Sequence, residues 1–288
     1  MKKSCPLCSS DKNIKCISNS TREDKGKVHK CKTCGHVFLD LGIDPDQYED
    51  YFNSYYENDT QRKEYIESKD DYIAKIKNDN IRRLDVCKDY LNGTFNVLDF
   101  GAGYCLFSYL VKPFVSSVIA VDKSKLTKEN ANKFGIDYIS DIHGINPSEK
   151  KFDAIFAFHT LEHLIEPGKT IKHLSDLLTD NGLLFIEVPN QNDLLVKLSK
   201  KYRAFYYQVA HLHYFKRKTL FKLIANGELT LLKRISTQRY GFSNHLRWIF
   251  NIKTNRETSK YRRILSGTVW ADTLFYVFQK QKNQRKKP

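Results

Sequence analysis

Three sets of residues in this chain have the types and spacings that chemistry requires. The first is thiol. Cys5-Pro6-Leu7-Cys8 and Cys31-Lys32-Thr33-Cys34 are two CxxC turns separated by 22 residues, and two such turns can place four thiolates tetrahedrally around one structural Zn²⁺. A segment this short buries little apolar surface, so metal binding would supply most of its folding energy. Neither CxxC opens a helix after a strand, which argues against redox chemistry. His36 is a potential substitute ligand, while Cys16, Cys87 and Cys105 read as ordinary buried or partly buried thiols.

The second set is a glycine turn flanked by carboxylates. Val97-Leu98 ends at Asp99 and runs through Phe100 into Gly101, Ala102 and Gly103; the two glycines let backbone pass close to a ligand or take positive φ. A second apolar run, Ser117–Val121, is closed by Asp122. This is the pattern of the nucleotide-binding half of a doubly wound sheet, with the second carboxylate placed for ribose hydroxyls. Tyr104, Cys105 and Leu106 follow Gly103, so the third glycine of a pyrophosphate-binding turn is missing. Asp99 instead offers negative charge to a cationic or amino-bearing ligand.

The third set is imidazole, the side chain suited to moving protons near neutral pH. His159-Thr160-Leu161-Glu162-His163 follows an apolar run, and His211-Leu212-His213-Tyr214 lies further along. His163, His211 and His213 are the candidate bases, with Glu162 as an orienting partner and Tyr214 as a substrate contact. The H-x-x-E-H spacing superficially matches an inverted zinc-protease sequence, but it follows a buried strand rather than lying inside a helix, so a protease is rejected.

The elements that must position these groups alternate. Strands are expected at Val97–Asp99, Val118–Asp122, Asp137–Ile139, Phe152–Phe158 and Gly182–Val188, separated by helices from Phe107, from Leu126 to before Gly135, and at Pro167–Leu178. Such alternation implies an α/β fold with a parallel sheet covered on both faces. Late runs at Leu229–Ser236 and Thr273–Gln279 suit antiparallel edge strands. Upstream, Asp70–Leu91 reads as a helix stopped by Asn92-Gly93. Tyr48, Tyr51, Phe52, Tyr55 and Tyr56 share one helical face, packed on the main domain or covering the substrate. The expected organisation is a zinc-binding module at 1–40, a helical segment at 41–92, the main domain at 93–279 and a basic tail at 280–288, expected to be disordered.

With 288 residues, 41% of them hydrophobic, the chain can build one large core and a small appendage. No apolar run reaches the ~20 residues of a membrane span, and no signal-type apolar stretch follows the first lysines, so a cytoplasmic location is expected. The net charge of +15 suits nucleic acid, an anionic membrane or a phosphorylated small substrate, and equally a lysine-rich solvated surface. Oligomeric state has no signature here.

Leu98-Asp99-Phe100-Gly101-Ala102-Gly103 resembles motif I of the class I S-adenosylmethionine-dependent methyltransferases, whose Rossmann-like fold ends in antiparallel strands. Phe158–His163, Pro189-Asn190 and His211–Phe215 resemble the small-molecule branch of that family, which includes ubiquinone-type and sugar methyltransferases. The CxxC pairs ahead of the domain are similar to those of zinc-containing sugar methyltransferases. The resemblance implies S-adenosylmethionine as cofactor. It puts the Asp99–Gly103 turn with Ala102 against the methionine part, Asp122 on the ribose, Asp141 on the adenine amino group and His159 at the same strand ends. Asn190 and Tyr214 fall to the acceptor, and Arg239, His245 and Arg247 carry donors for a phosphate or sugar.

Three functions follow. The favoured one is methyl transfer to a small polar acceptor, a sugar or phosphorylated or nucleotide-linked sugar in surface-polysaccharide biosynthesis, with O- preferred to C-methylation. The second is RNA methylation, with the zinc module and basic surface as a clamp, although no asparagine-proline-proline-aromatic sequence stands at His159–His163. The third is a non-catalytic zinc-anchored binding module.

Overall fold

The computed structural model describes residues 4–44, 47–48, 50–51, 69–238, 248–250, 262–263 and 271–282. Strands β1 (Ile14–Ser18), β2 (Lys27–Cys31) and β3 (Val37–Asp40) form an antiparallel meander around the cysteine turns. Helix α1 (Lys69–Cys87) leads into β4 (Asn96–Phe100), α2 (Leu106–Val111), β5 (Ser117–Val121), α3 (Lys125–Phe134), β6 (Asp137–Ile139) and β7 (Phe152–Phe158). Next come α4 (Pro167–Leu177), β8 (Leu178–Pro189), α5 (Leu194–Leu198), α6 (Lys200–Tyr206), β9 (His213–Tyr214) and α7 (Arg217–Ile224). The chain closes with β10 (Leu229–Gln238), the two-residue β11 (Arg262–Arg263) and β12 (Thr273–Lys280).

The large sheet runs β6-β5-β4-β7-β8-β12-β10, with β11 beyond β10 at its edge. Strands β4 to β8 are parallel, and β12 pairs antiparallel with both β8 and β10. Strands buried on two faces must be apolar throughout. Phe152, Ala154, Ile155, Phe156 and Ala157 of β7 and Leu184, Phe185 and Ile186 of β8 are all fully buried. Phe156 stacks on Phe185 with ring centres 4.9 Å apart. Helix punctuation follows backbone chemistry: Pro167 opens α4, where its missing N–H costs nothing, and Gly135 closes α3 at φ +61°.

Several expectations shift. Leu178, expected to end a helix, already pairs with Phe152 as the first residue of β8; a bulge then brings Leu183 opposite Ala154. Helix α1 stops at Cys87 and passes into a short 3₁₀ turn, Lys88–Tyr90, rather than reaching Leu91. Lys280, assigned to the basic tail, is buried at the end of β12, its Nζ donating to the carbonyls of Ser175 (2.7 Å) and Leu178 (3.0 Å). Of the aromatic face near residue 50, Tyr48 and Tyr51 pack against a cluster containing Leu39, Tyr206 and Tyr214. Phe52, Tyr55 and Tyr56 lie outside the described residues, as do 283–288 of the tail. The cysteine-rich unit is not a detached module. Its β3 pairs with β9, Val37 opposite Tyr214 and Phe38 opposite His213, so residues deep in the main domain complete its sheet.

One buried ion-pair cluster ties α1 to the sheet. Glu187 on β8 is fully buried, and its carboxylate accepts from Arg82 at 2.6 Å and Arg83 at 2.7 Å. Burial opposes its charge, but the two guanidinium groups outweigh that and hold its pKa well below the usual carboxylate range. Removing one cation leaves buried negative charge undercompensated. Arg82→Met is expected to cost about 3 kcal/mol in urea unfolding; a loss below ~0.5 kcal/mol would mean the pair carries no net stability.

Candidate functional site

The order of the sheet reverses between β4 and β7, and ligands in open α/β sheets bind outside the carboxyl ends of the strands at such a point. Here the backbone is forced into unusual shapes. Gly101 (φ +78°), Gly103 (+54°), Cys105 (+56°) and His159 (+52°) are all left-handed, and non-glycine residues held so are concentrated at functional sites. A side chain on Gly101 would collide with Thr160, whose hydroxyl donates to the Phe100 carbonyl at 3.0 Å. The ends of β4 and β7 are thereby locked together. Around a Cβ placed on Gly103, by contrast, no heavy atom of the described residues lies within 4 Å. A ligand can lie against that backbone.

Asp122 stands beside this opening at the end of β5. Its carboxylate accepts from the N–H of Gly103 (3.0 Å) and of Ser124 (2.9 Å), while Thr127 donates to the Gly103 carbonyl at 2.6 Å and Tyr138 to the Asp122 carbonyl at 2.8 Å. Asp141, after β6, is exposed and accepts from the His143 N–H at 3.0 Å, capping the turn Ile142–Gly144. Asp99 is buried, and Ser108 donates to it at 2.5 Å. Burial raises its pKa to about 6 despite that hydrogen bond and the Arg83 charge. The sequence placed Asp99, Gly101, Ala102, Gly103, Asp122 and His159 at neighbouring strand ends, and the fold brings them there.

Beyond β7 lies a second cluster. Glu162 is fully buried, with Oε1 3.0 Å from His159 Nδ1. His163 Nδ1 donates to the Ala210 carbonyl at 2.6 Å, which places the ring's lone pair on Nε2. The rings of His163 and His211 are 4.8 Å apart and steeply inclined. Glu162, His163 and His211 each bring a ligating atom within 4.8 Å of the others. A carboxylate and two imidazoles so placed are able to relay a proton.

Other expected site residues are elsewhere. His213 is buried, with Nε2 donating to the Leu164 carbonyl (2.9 Å) and Nδ1 facing His36 Nε2 (3.0 Å). Burial pulls its pKa down to about 4. With both nitrogens engaged, His213 is withdrawn from the candidate bases. Tyr214 is also corrected: its hydroxyl is held by the backbone of Gln208, accepting at 3.0 Å and donating at 3.0 Å. Asn190 donates to the Ala271 carbonyl (2.7 Å) and accepts from the Asn192 N–H (2.9 Å), binding β8 to the start of β12 rather than facing an acceptor. Arg239, His245 and Arg247 lie outside the described residues. Thr160, Ser108 and Tyr138 were not anticipated, because their roles depend on contacts between separate strands.

The cysteine turns are built alike. The residue after each second cysteine is left-handed, Ser9 at φ +55° and Gly35 at +79°, and its N–H donates to the first cysteine's carbonyl at 2.8 Å. Cys5 and Cys34 sulfurs are 3.6 Å apart and those of Cys8 and Cys31 3.8 Å. Thiolates bound at ~2.3 Å in a tetrahedron stand about 3.8 Å from one another, so the donor set fits such an ion. Burial opposes ionisation of Cys31, but N–H donors from Cys34 and Thr33 bring its pKa down to about 7. His36 belongs to the contact with His213 and not to the four thiols. Cys16 is exposed, contrary to expectation.

A family model described as a methyltransferase domain matches residues 59–233. Among curated proteins, the chain is 32% identical over 107 residues to the ubiquinone biosynthesis O-methyltransferase of Bradyrhizobium diazoefficiens, covering 35% of this chain and 42% of the relative. It is 35% identical over 101 residues to that of Pelagibacter ubique, covering 33% and 42%. The matches span about half the length of these relatives or less. Among solved structures, magnesium protoporphyrin IX methyltransferase of Synechocystis with bound S-adenosylhomocysteine superposes with a TM-score of 0.54 at 14% identity, covering 83% of this chain and 100% of that one. A methyltransferase of Thermotoga maritima described as a possible histamine N-methyltransferase gives 0.53 at 16%, covering 74% and 94%. These two establish likeness of fold.

The raised pKa of Asp99 predicts a pH dependence. A carboxyl whose folded pKa of about 6 exceeds its ordinary 3.8 binds its proton more tightly when folded. Its contribution therefore favours folding at low pH and is lost as pH rises through about 6. Asp99→Asn retains an acceptor for Ser108, so the ligand-free protein should gain ~2 kcal/mol at pH 7.5 and lose that part of its slope between pH 4 and 6. Thermal melts across pH check this; an unchanged slope would contradict it.

Proposed function

The chain belongs to the family of class I S-adenosylmethionine-dependent methyltransferase domains, and on that premise we propose that it methylates a hydroxyl of a small polar acceptor. The observation that carries the reading is a juxtaposition. The open backbone at Gly103 with Asp122 follows β4 and β5, and Glu162 and His163, joined by His211, follow the neighbouring β7 of the same parallel sheet. One can hold a nucleoside-bearing cofactor and the other can deprotonate an acceptor.

When bound, S-adenosylmethionine supplies an electrophilic methyl group. The chain's residues orient and deprotonate. Asp122 would accept from the ribose hydroxyls, the Asp99–Gly103 turn would line the methionine part, and Asp141 and His159 would flank the remaining cofactor surface. In-line displacement requires an acceptor oxygen held at near-contact distance. His163 takes the hydroxyl proton on Nε2, because its Nδ1–H is committed to Ala210. The buried Glu162 carboxylate stabilises the imidazolium so formed, and His211 completes the relay. O-transfer is favoured because the curated relatives are named O-methyltransferases. A sugar, free or nucleotide-linked, is the acceptor class proposed, supported by the thiol unit's similarity to that of zinc-containing sugar methyltransferases and by a net charge of +15 that favours phosphorylated ligands. Cys5, Cys8, Cys31 and Cys34 are assigned to one structural Zn²⁺.

Calorimetric titration of the zinc-loaded protein with S-adenosylhomocysteine tests the premise. Micromolar binding is expected for the wild type, weakened at least ~10-fold in Asp122→Ala; no binding to wild type would sink the cofactor reading. A second test uses an acceptor panel of nucleotide sugars and phenols. With a positive acceptor, His163→Ala should lower kcat about 100-fold or more and leave S-adenosylhomocysteine affinity unchanged. Turnover of phenols alone would overturn the sugar assignment, and an unaffected kcat would overturn His163 as base.

A further inference from the structure

The thiol unit is joined to the acceptor side of the site by a directional chain of hydrogen bonds. A carbonyl can only accept, so the bond from His213 to the Leu164 oxygen requires the proton on His213 Nε2. Neutral His213 therefore has its lone pair on Nδ1, and the 3.0 Å contact there requires a proton on His36 Nε2. Both rings are buried, His36 fully and His213 at 3% exposure. The two bond directions fix the tautomer of each neutral ring. Phe38 and Phe215 enclose the pair, with centre-to-centre distances from His36 of 6.3 and 5.4 Å. The His36 carbonyl in turn accepts the N–H of Cys31 at 2.9 Å, inside the second cysteine turn.

The far end of this chain matters because Leu164 follows His163. Segment 210–214 grips that turn twice, through Ala210 to His163 Nδ1 at 2.6 Å and through His213 to Leu164 at 2.9 Å. The same segment is fastened to the thiol unit by the β3–β9 pairing and by the Leu39 N–H donating to Leu212 at 2.9 Å. An appendage serving only as a surface clamp would not need a buried imidazole pair pointed at the turn that bears the base.

We propose that the four-cysteine unit positions the acceptor-side base, with His36 and His213 as positioning residues that hold the Leu161–Leu164 turn and, through Ala210, the tautomer of His163. This rests on the reading of His163 as base. The four thiols would fix the Cys31–His36 turn around a bound ion, His36 holds His213, and His213 holds the backbone beside His163. The cofactor half, at β5 and β6, lies on the other side of β4 and has no part in the chain.

The test uses the full-length zinc-loaded protein as wild type, His36→Phe and His36→Gln, and needs no acceptor. Amide exchange over residues 159–166 and ¹⁵N imidazole spectra of His163 and His213 are read beside zinc content. With zinc retained, His36→Phe should raise exchange over 159–166 about tenfold and replace the single His163 tautomer by averaged signals. His36→Gln, which can donate to His213 Nδ1, should restore both. Exchange over 117–139 should stay within about twofold. Unchanged exchange and an unchanged His163 tautomer in zinc-bearing His36→Phe would overturn the proposal. Should that variant lose zinc, chelation of the wild type serves instead: protection persisting over 159–166 while residues 5–40 exchange freely would overturn it equally. Failure of S-adenosylhomocysteine binding would sink the cofactor reading and leave these signals interpretable.

Discussion

The site depends on how closely two strand ends approach. Gly101, at the end of β4, lies against Thr160, at the end of β7, and the threonine hydroxyl donates to the carbonyl just ahead of the glycine. A glycine is needed there for two reasons: its φ is +78° and a Cβ would occupy the space of the threonine. Closing β4 onto β7 at this height aims the Gly103 backbone outward and places His159 in its left-handed conformation, with its N–H on the Glu187 carbonyl at 2.7 Å. The Gly103–Asp122 opening and the turn that bears Glu162 and His163 are therefore two lips of one seam.

Charge around the seam is arranged at a cost. Asp99 is buried with a pKa raised to about 6, while Glu187 is buried with its pKa driven down by Arg82 and Arg83. The first carboxylate is undercompensated and the second overdetermined. A carboxylate kept short of partners is a cost that a cationic or amino-bearing ligand would offset, as binding sites commonly require at the expense of stability. The arginine pair does the opposite: it makes α1 a fixed wall behind β8.

The thiol unit changes meaning once its contacts are seen. Two hairpin-like cysteine turns, each followed by a left-handed residue, make a local frame that requires little from the rest of the chain. Its sheet nevertheless ends on His213 and Tyr214, and its buried histidine faces another histidine from the main domain. Buried imidazole nitrogens are costly unless paired; His36 Nδ1 has no hydrogen-bond partner among the described residues, while the other three nitrogens of the two rings are paired in a line from the thiol unit to the turn that bears His163.

The sequence by itself determined what depends on neighbours along the chain. Strand positions within a residue or two, apart from β8, which begins at Leu178 rather than Gly182, the glycine turn with Asp99 and Asp122, the late antiparallel strands and the four cysteines were legible, since apolar periodicity, positive-φ glycines and CxxC spacing are local constraints. Only the tertiary structure decided which histidines share a cluster. His163 and His211 are 48 positions apart and adjacent in space, whereas His213, two residues after His211, lies in β9 where it pairs with β3 and is held by His36 and the Leu164 carbonyl. Tyr214 and Asn190 looked like substrate contacts by position and are spent on backbone groups instead. Thr160, Ser108 and the Arg82–Glu187 pair had no signal in the sequence. Their roles arise where strands and helices distant in the chain meet, and hydrogen-bond satisfaction of buried groups is a property of that meeting rather than of any local pattern.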